Sequence, residues 1–354
     1  MSKFCLVVPE EFKTHYNQHP FEITGLLNWA KVLKGDVKVI TEDHSNYDWI
    51  MTNVSSTESE YISFLRQEVP DAKIIACFDY GFTAVNQYFL SLQRVKQVMD
   101  RADIVFSVNR NQQEWMKLIL PDKDIHYIPH PSDTQSILKF RKKPEDRTEG
   151  VCAMWHEYDN YTVQMFEVLK AVERKLGKPL RKTLIGLKSR KMQEKGMRVL
   201  ASNIPIVSND YPEVALRGQP LDPEIGKVIE RSPPGVGWDV AFPYMGVEGW
   251  YDTLSRYRAA LDLYTVDSVG RFAIDCAGVG LPCIASTKQD SSKLLFPFTT
   301  VDPFIPTAAV QFMTKLLRDE TFYLRVENTA LKNVKHYGFE KSRERIMTVL
   351  EEVA

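Results

Sequence analysis

The chain has 354 residues, 44% hydrophobic and 11% aromatic, which is enough material for two ordinary domains with their own cores. Its 45 basic and 46 acidic side chains leave a net charge of -1, so no bulk field draws it to nucleic acid or an anionic membrane, and either partner would need a local patch. No run approaches the roughly 18 to 20 apolar residues of a membrane span, and Cys5, Cys77, Cys152, Cys276 and Cys283 stand singly without CxxC spacing. The expectation is a cytoplasmic protein with buried, reduced thiols.

From the N-terminus, short apolar runs alternate with helical patterns. KFCLVV (3–8), DVKVIT (36–41), DWIMTNV (48–54), KIIACF (73–78) and DIVFSV (103–108) read as parallel strands, apolar on both faces. FEITGLLNWAKVLKG, STESEYISFLRQEV and TAVNQYFLSLQRVKQVMDRA carry apolar residues at i, i+3, i+4 and i+7, with Gly35 as the stop of the first. PEEFKTHYNQHPFEITG reads as a loop after the first strand, with His15, Tyr16 and His19 available to line an acceptor side.

Polar TQSILKFRKKPEDRTEG follows HYIPHPSD, and the domain crossing is placed there, near 135–148. A second series comes next: GVCAMW (150–155), KTLIGL (182–187), IPIVSN (204–209), WDVAFPY (238–244), AALDLYT (259–265) and LPCIAS (281–286). Helical patterns at 161–176, 189–201, 249–258, 270–279 and 306–335 separate most of them, and residues 211–237, with five prolines, read as a long surface excursion. The fold class is α/β, with two doubly wound, Rossmann-like domains at 1–140 and 141–335 and a C-terminal helix over 336–354.

The chemistry concentrates in DSVGRFAIDCAGVGLPCIAS (267–286), where a strand ends and a helix begins. Ligands of doubly wound sheets sit at such ends, where helix N-termini attract phosphate. With Asp267 near the N-cap, Arg271 and Asp275 follow on one face. A carboxylate there accepts hydrogen bonds from a ribose diol, Gly270 lets a diphosphate approach the backbone, and Arg271 offsets its charge. The same residues would equally make a salt-bridge ladder on a solvated helix. KIIACFDYG puts Asp79 directly after a strand, placed to bind an acceptor hydroxyl, to take its proton, or simply to cap a helix. His130, between two prolines in IPHPSD, points either into a cleft or into solvent.

The stretch resembles the signature of retaining GT-B glycosyltransferases, in which two acids spaced by seven residues precede a small-residue helix end, a Gly-x-Pro turn and an apolar strand. Here the acids are Asp267 and Asp275 where that family usually has glutamates, and VGLPCIAS supplies turn and strand. ADIVFSVNRNQQEWMKLILPDKDIHYIPHPSD resembles the end of the family's first domain, YRAALDLYTVDS its strand before the donor site, and YGFEKSRERIMTVLEEVA its final helix returning to the first domain.

The resemblance implies a GT-B fold with two domains facing a central cleft. It also implies a nucleotide-sugar co-substrate bound mainly by the second domain, a UDP-sugar foremost, with no metal or other cofactor, and a saccharide, lipid-linked or protein acceptor bound by the first. Asp275 would hold the ribose, Asp267 the transferred sugar, and Gly270 and Arg271 the diphosphate, with Ser268 also on the donor and Asp79, Asp267 and His130 as the catalytic set. The family's phosphate-binding Arg and Lys are missing from WHEYDNYT (155–162), and Lys188, Arg190 and His156 are the substitutes.

Two other readings compete. A DNA glucosyltransferase of bacteriophage type, acting on hydroxymethylated bases, is suggested by Asp79 after its strand and by eleven Lys or Arg against two acids in 170–198. A non-catalytic two-domain receptor for a small ligand is the other. No H-E-x-x-H, Cys/His cluster or G-x-G-x-x-G is present, which points away from zinc and dinucleotides.

Overall fold

In a computed structural model the described residues are 2–18, 25–54, 59–79, 92–154, 162–187, 240–243 and 246–353. They form two compact units. The first comprises Met1–Thr134, Val266–Val269 and Lys335–Ala354, and the second Gln135–Thr265 and Gly270–Val334.

The first unit holds strands β1 (Phe4–Val7), β2 (Asp36–Lys38), β3 (Trp49–Asn53), β4 (Lys73–Phe78), β5 (Ile104–Ser107) and β6 (Asp124–Tyr127). They form one all-parallel sheet in the order β2-β1-β3-β4-β5-β6. The order reverses between β1 and β3, the switch point of a flavodoxin-like sheet. Its crossovers include α1 (Glu10–Gln18), α2 (Asn28–Leu33), α3 (Ser59–Glu68), α4 (Leu92–Met99) and α5 (Arg110–Ile119). Ile50, Ile74, Phe78, Val105, Ile62, Leu65 and Met116 build the core between sheet and helices.

The second unit begins with α6 (Thr134–Leu138) and contains β7 (Glu149–Met154), α7 (Thr162–Leu176), β8 (Lys182–Leu187), β9 (Val240–Pro243), α8 (Gly246–Ser255), β10 (Tyr257–Asp262), α9 (Arg271–Gly278), β11 (Cys283–Ser286), α10 (Asp290–Leu295), β12 (Thr300–Val301), α11 (Pro306–Arg318) and α12 (Glu320–Asn333). Its parallel order is β12-β11-β10-β7-β8-β9. Numbered within the unit this is 3-2-1-4-5-6, the dinucleotide-fold order, with its reversal between β7 and β10. The last helix, α13 (Phe339–Val353), packs with the first unit against α2, burying Ile346, Val349 and Leu350.

Several elements depart from the sequence expectation. Residues 10–18 are a helix rather than a loop, with Pro9 just ahead of it and Glu10 and Glu11 in its first turn, where they favour the positive end. Gly35 is not the residue in the left-handed conformation that ends α2. Lys34 takes it, at φ 54°, and Gly35 follows, its N–H bonded to the Ala30 carbonyl at 2.9 Å. The pattern over 306–335 is two helices, broken at Asp319, whose carboxylate accepts from Phe322 N at 2.9 Å and starts α12 as an N-cap. Strand β6 buries only Ile125 fully, and β12 is two residues long, so neither makes an apolar run. The strand expected at 204–209, the helix at 189–201 and the excursion at 211–237 lie outside the described residues.

All five cysteines are free and buried. No described helix is long and apolar enough to cross a membrane.

Candidate functional site

In the second unit, the reversal between β7 and β10 puts the carboxyl ends of those strands at the crevice where doubly wound sheets take ligands. Strand β10 ends there on Asp262, fully buried, whose Oδ2 accepts from Gln289 Nε2 at 2.8 Å. Gln289 Oε1 in turn accepts from Ser292 Oγ at 3.0 Å, and Ser291 Oγ donates to the Gly270 carbonyl at 2.7 Å. The segment after β11 is thereby laced to the turn that starts α9. Gly270 is the N-cap of α9 at φ 78°, and an added Cβ would lie 2.5 Å from Ser291 Oγ and 2.7 Å from Gln289 Cβ. Only glycine meets both demands without strain or displacement.

One turn into α9, Arg271 and Asp275 pair, Nε to Oδ1 at 2.8 Å. Helix α8 supplies the remaining partners: Trp250 Nε1 donates to Asp275 Oδ2 at 3.1 Å and Tyr251 OH to Oδ1 at 3.3 Å. Arg271 Nη2 reaches back to Tyr251 OH at 3.0 Å, while Nη1 is buried without a hydrogen-bond partner. Burial lowers the guanidinium pKa, but the opposing effect of Asp275, followed by that of Tyr251, outweighs it and holds Arg271 above its ordinary value. A permanently charged fork is thus fixed in the first turn of a helix with one N–H edge unspent. Asp275 is 5% exposed, and three of the roughly four lone-pair positions of its carboxylate are taken.

Asp267 and Ser268 do not extend the Arg271–Asp275 face of the helix, because Gly270 and not Asp267 begins it. Both group with the first unit. There Asn109, the N-cap of α5, accepts from Gln112 N at 3.1 Å and donates through Nδ2 to the Ser268 carbonyl at 2.8 Å. Asn111 Nδ2 donates to Asp267 Oδ1 at 3.1 Å.

Also in the first unit, Asp79 follows β4 with its side chain 37% exposed, and buried His130 brings Nε2 to 3.0 Å of its Oδ1. Neither ring nitrogen of His130 makes a hydrogen bond, so the Nε2 approach to Asp79 is a close polar contact by distance alone. The structure therefore joins Asp79 to His130, and Arg271 to Asp275 and Gly270. His156, Lys188 and Arg190 lie outside the described residues, as does His19; His15 and Tyr16 lie on α1. Sequence reasoning missed Trp250, Tyr251, Asp262, Gln289 and Ser291. Asp262, inside the run AALDLYT, was the one with a visible signal, a carboxylate in an otherwise apolar strand. Among the described residues, no group of three His, Cys, Asp or Glu could hold a metal ion.

No family model matches the chain, and no curated protein matches it by sequence. Solved structures do match over its full length. An α-glucosyltransferase in complex with UDP superposes with TM-score 0.65 at 11% identity, covering 100% of both chains. Sucrose-phosphate synthase from Thermosynechococcus elongatus gives 0.66 at 13% identity, covering 100% of this chain and 99% of that one. HepE of Anabaena, solved with UDP-glucose, gives 0.62 at 11% identity over 99% of this chain and all of the other. The chain has the two-domain GT-B fold of these enzymes.

Proposed function

We propose that the chain is a glycosyltransferase that moves a sugar from a nucleoside-diphosphate sugar, a UDP-sugar, to an acceptor hydroxyl. The observation that carries this reading is the start of α9, where a positive-φ glycine and the half-buried, charge-fixed Arg271 adjoin the β7/β10 reversal. The full-length likeness to enzymes solved with UDP and UDP-glucose supports it. The second unit binds the donor. Free N–H groups at the start of α9, the Gly270 backbone and Arg271 Nη1 take the diphosphate, and Asp275 takes the ribose hydroxyls. Asp267 stands on the transferred sugar, Ser268 contacts the donor, and Lys188, Arg190 and His156 supplement the phosphate contacts.

In the transfer, the acceptor oxygen forms a bond to the anomeric carbon. The bond from that carbon to the diphosphate oxygen breaks, and UDP leaves with the electron pair. The helix end and Arg271 stabilise the charge that develops on the leaving oxygen, so this reading assigns the step no divalent ion. With retention the acceptor proton passes to the departing diphosphate; with inversion it passes to Asp79, oriented by His130.

A panel of UDP-, GDP- and ADP-sugars assayed for hydrolysis and transfer in the presence of EDTA tests the reading. UDP-sugar turnover is expected, with UDP affinity falling at least tenfold in a folded Asp275→Ala protein. Failure of every nucleotide to bind, or Asp275→Ala binding UDP like the wild type, overturns it. DNA is carried as a second acceptor class because an α-glucosyltransferase solved with UDP-glucose and abasic-site DNA also superposes, with TM-score 0.64 over 100% of this chain and 99% of that one. A salt-sensitive gel shift on hydroxymethylated duplex decides for or against it.

A further inference from the structure

Residues 170–187 of the basic run 170–198 are described, and their cations gather at the end of the second sheet remote from the nucleotide site. Helix α7 ends on Arg174 and Lys175, Gly177 turns the chain at φ 69°, and Lys178, Arg181 and Lys182 lead into β8. Strand β8 runs parallel to β7, so this is the amino edge of the sheet. The strand puts about 20 Å between that edge and the carboxyl edge, farther than any side chain reaches. Helix α11 packs beside α7 and ends at the same place: Arg318 Nη2 donates to the Lys175 carbonyl, and Lys315 stands one turn earlier with Nζ 4.4 Å from the Phe322 ring centre.

Arg174, Lys175, Lys178, Arg181, Lys315 and Arg318 are all exposed. The acids beside them are already spent. Glu173 accepts from Leu180 N at 2.9 Å and from Lys182 Nζ at 3.3 Å, Asp319 caps α12 through Phe322 N, and Glu320 pairs with Arg258. Among the described residues, Arg174, Lys175, Lys178, Lys315 and Arg318 enter no ion pair. Cations in the last turn of a helix offset its negative end, which accounts for those on α7 and α11. Lys178 and Arg181 lie beyond α7 and are not accounted for in that way. In a chain of net charge -1, six exposed cations on one edge are a concentration of charge.

We propose that this amino edge is a docking surface for the sugar–phosphate backbone of duplex nucleic acid, held without regard to sequence and distinct from the nucleotide site at the opposite edge. The inference is independent of the glycosyl-transfer reading. Repeated phosphates suit the surface because each cation set on one releases a condensed counterion, a gain that a single free phosphate does not offer. An anionic membrane is the poorer partner. None of the large exposed hydrophobic side chains among the described residues stands at the ends of α7 or α11 or in 177–181, so no apolar group is placed to enter a bilayer.

The test follows fluorescence anisotropy of a labelled duplex of unmodified DNA, which offers no hydroxymethyl acceptor, over a series of NaCl concentrations, with UDP titrations and melting temperatures alongside. The full chain is compared with an Arg174→Gln, Lys175→Gln, Lys178→Gln triple variant and with a Lys96→Gln, Lys117→Gln, Lys332→Gln control that removes the same charge elsewhere on the surface. The first triple is expected to weaken duplex binding at least about tenfold and to flatten its salt slope by about three. The control should stay within about twofold of wild type, and UDP affinity and melting temperature should not move in either. Lys178→Gln alone, beyond the helix, keeps the test alive should the triple fold poorly, with a loss of at least about twofold expected. The proposal is overturned if duplex binding is absent or insensitive to salt, if the folded triple binds like wild type, if the control loses as much, if UDP affinity falls along with duplex affinity, or if phosphatidylserine vesicles bind while the duplex does not. Salt-sensitive duplex binding by a chain that takes up no nucleotide sinks the transfer reading and leaves this surface standing.

Discussion

The two units end their sheets in opposite ways. At the carboxyl edge of the second, polar side chains pair closely: Asp275 is held by Trp250, Tyr251 and Arg271, Asp262 by Gln289, and Gly270 by Ser291. At the edge of the first, Asn28, Asn53, His130 and Ser132 keep buried atoms unpaired. Groups paired as in the second unit are fixed in advance, so no reorganisation is needed when charge develops beside them. Each buried group left unpaired carries a desolvation cost that a paired edge avoids. The contrast extends to titration. Six of the seven histidines fall in the span of the first unit, and the seventh, His156, lies outside the described residues.

The largest expected effect is on the locked edge. Gly270→Ala combines a positive-φ penalty with contacts of 2.5 and 2.7 Å, and is expected to destabilise the second unit by about 2–4 kcal/mol. Differential scanning calorimetry should show the loss in one transition; an unchanged thermogram would mean the two edges are equally pliable. Next comes Asp275→Ala, which strands Arg271, Trp250 and Tyr251 without their common acceptor and should cost about 2–3 kcal/mol in urea unfolding. Asp275→Asn, which retains an acceptor, should recover part of that.

Asn109→Ala removes an N-cap and the bond to the Ser268 carbonyl together. About 1–2 kcal/mol of first-unit stability should go with it, and hydrogen exchange at Val266–Val269 should quicken; unaltered exchange would show that this crossing segment is held by something else.

The smallest effect is with pH. Burial, then Lys38, depresses the pKa of His44, and burial, then Arg345 and Arg110, depresses that of His336. Each folded-state pKa lies below the unfolded value of about 6.5, so the unfolded chain binds more protons as pH falls through that value. The stabilisation present above it is lost towards the lower folded-state pKa values. Melting temperatures between pH 7.5 and 5.5 should fall for the first unit, and less steeply in a His44→Gln, His336→Gln double variant; parallel slopes would remove this difference between the units.

Much of the architecture was legible in advance, since parallel strands buried on both faces must be apolar throughout and each needs a helical crossover. KFCLVV, KIIACF, DIVFSV and AALDLYT announce themselves for that reason, as does the final helix through Ile346, Val349 and Leu350. Strands β6 and β12 did not, because an edge strand buries too little to leave a run. Asp319 splitting a long helical pattern was a capping residue hidden among charges.

Of the candidate site, the sequence alone determined which residues cluster by chain proximity: Gly270, Arg271 and Asp275 lie within six positions, so a helix start brings them together whatever the rest does. Only the tertiary structure decided who meets them. Trp250 and Tyr251 come from another helix, Gln289 from the far side of the next strand, and Asp267 turns to Asn111, 156 residues away. Periodicity reports which face of an element is buried. Which polar atoms the chain's path brings into bonding range depends on strand order, and no local pattern encodes strand order.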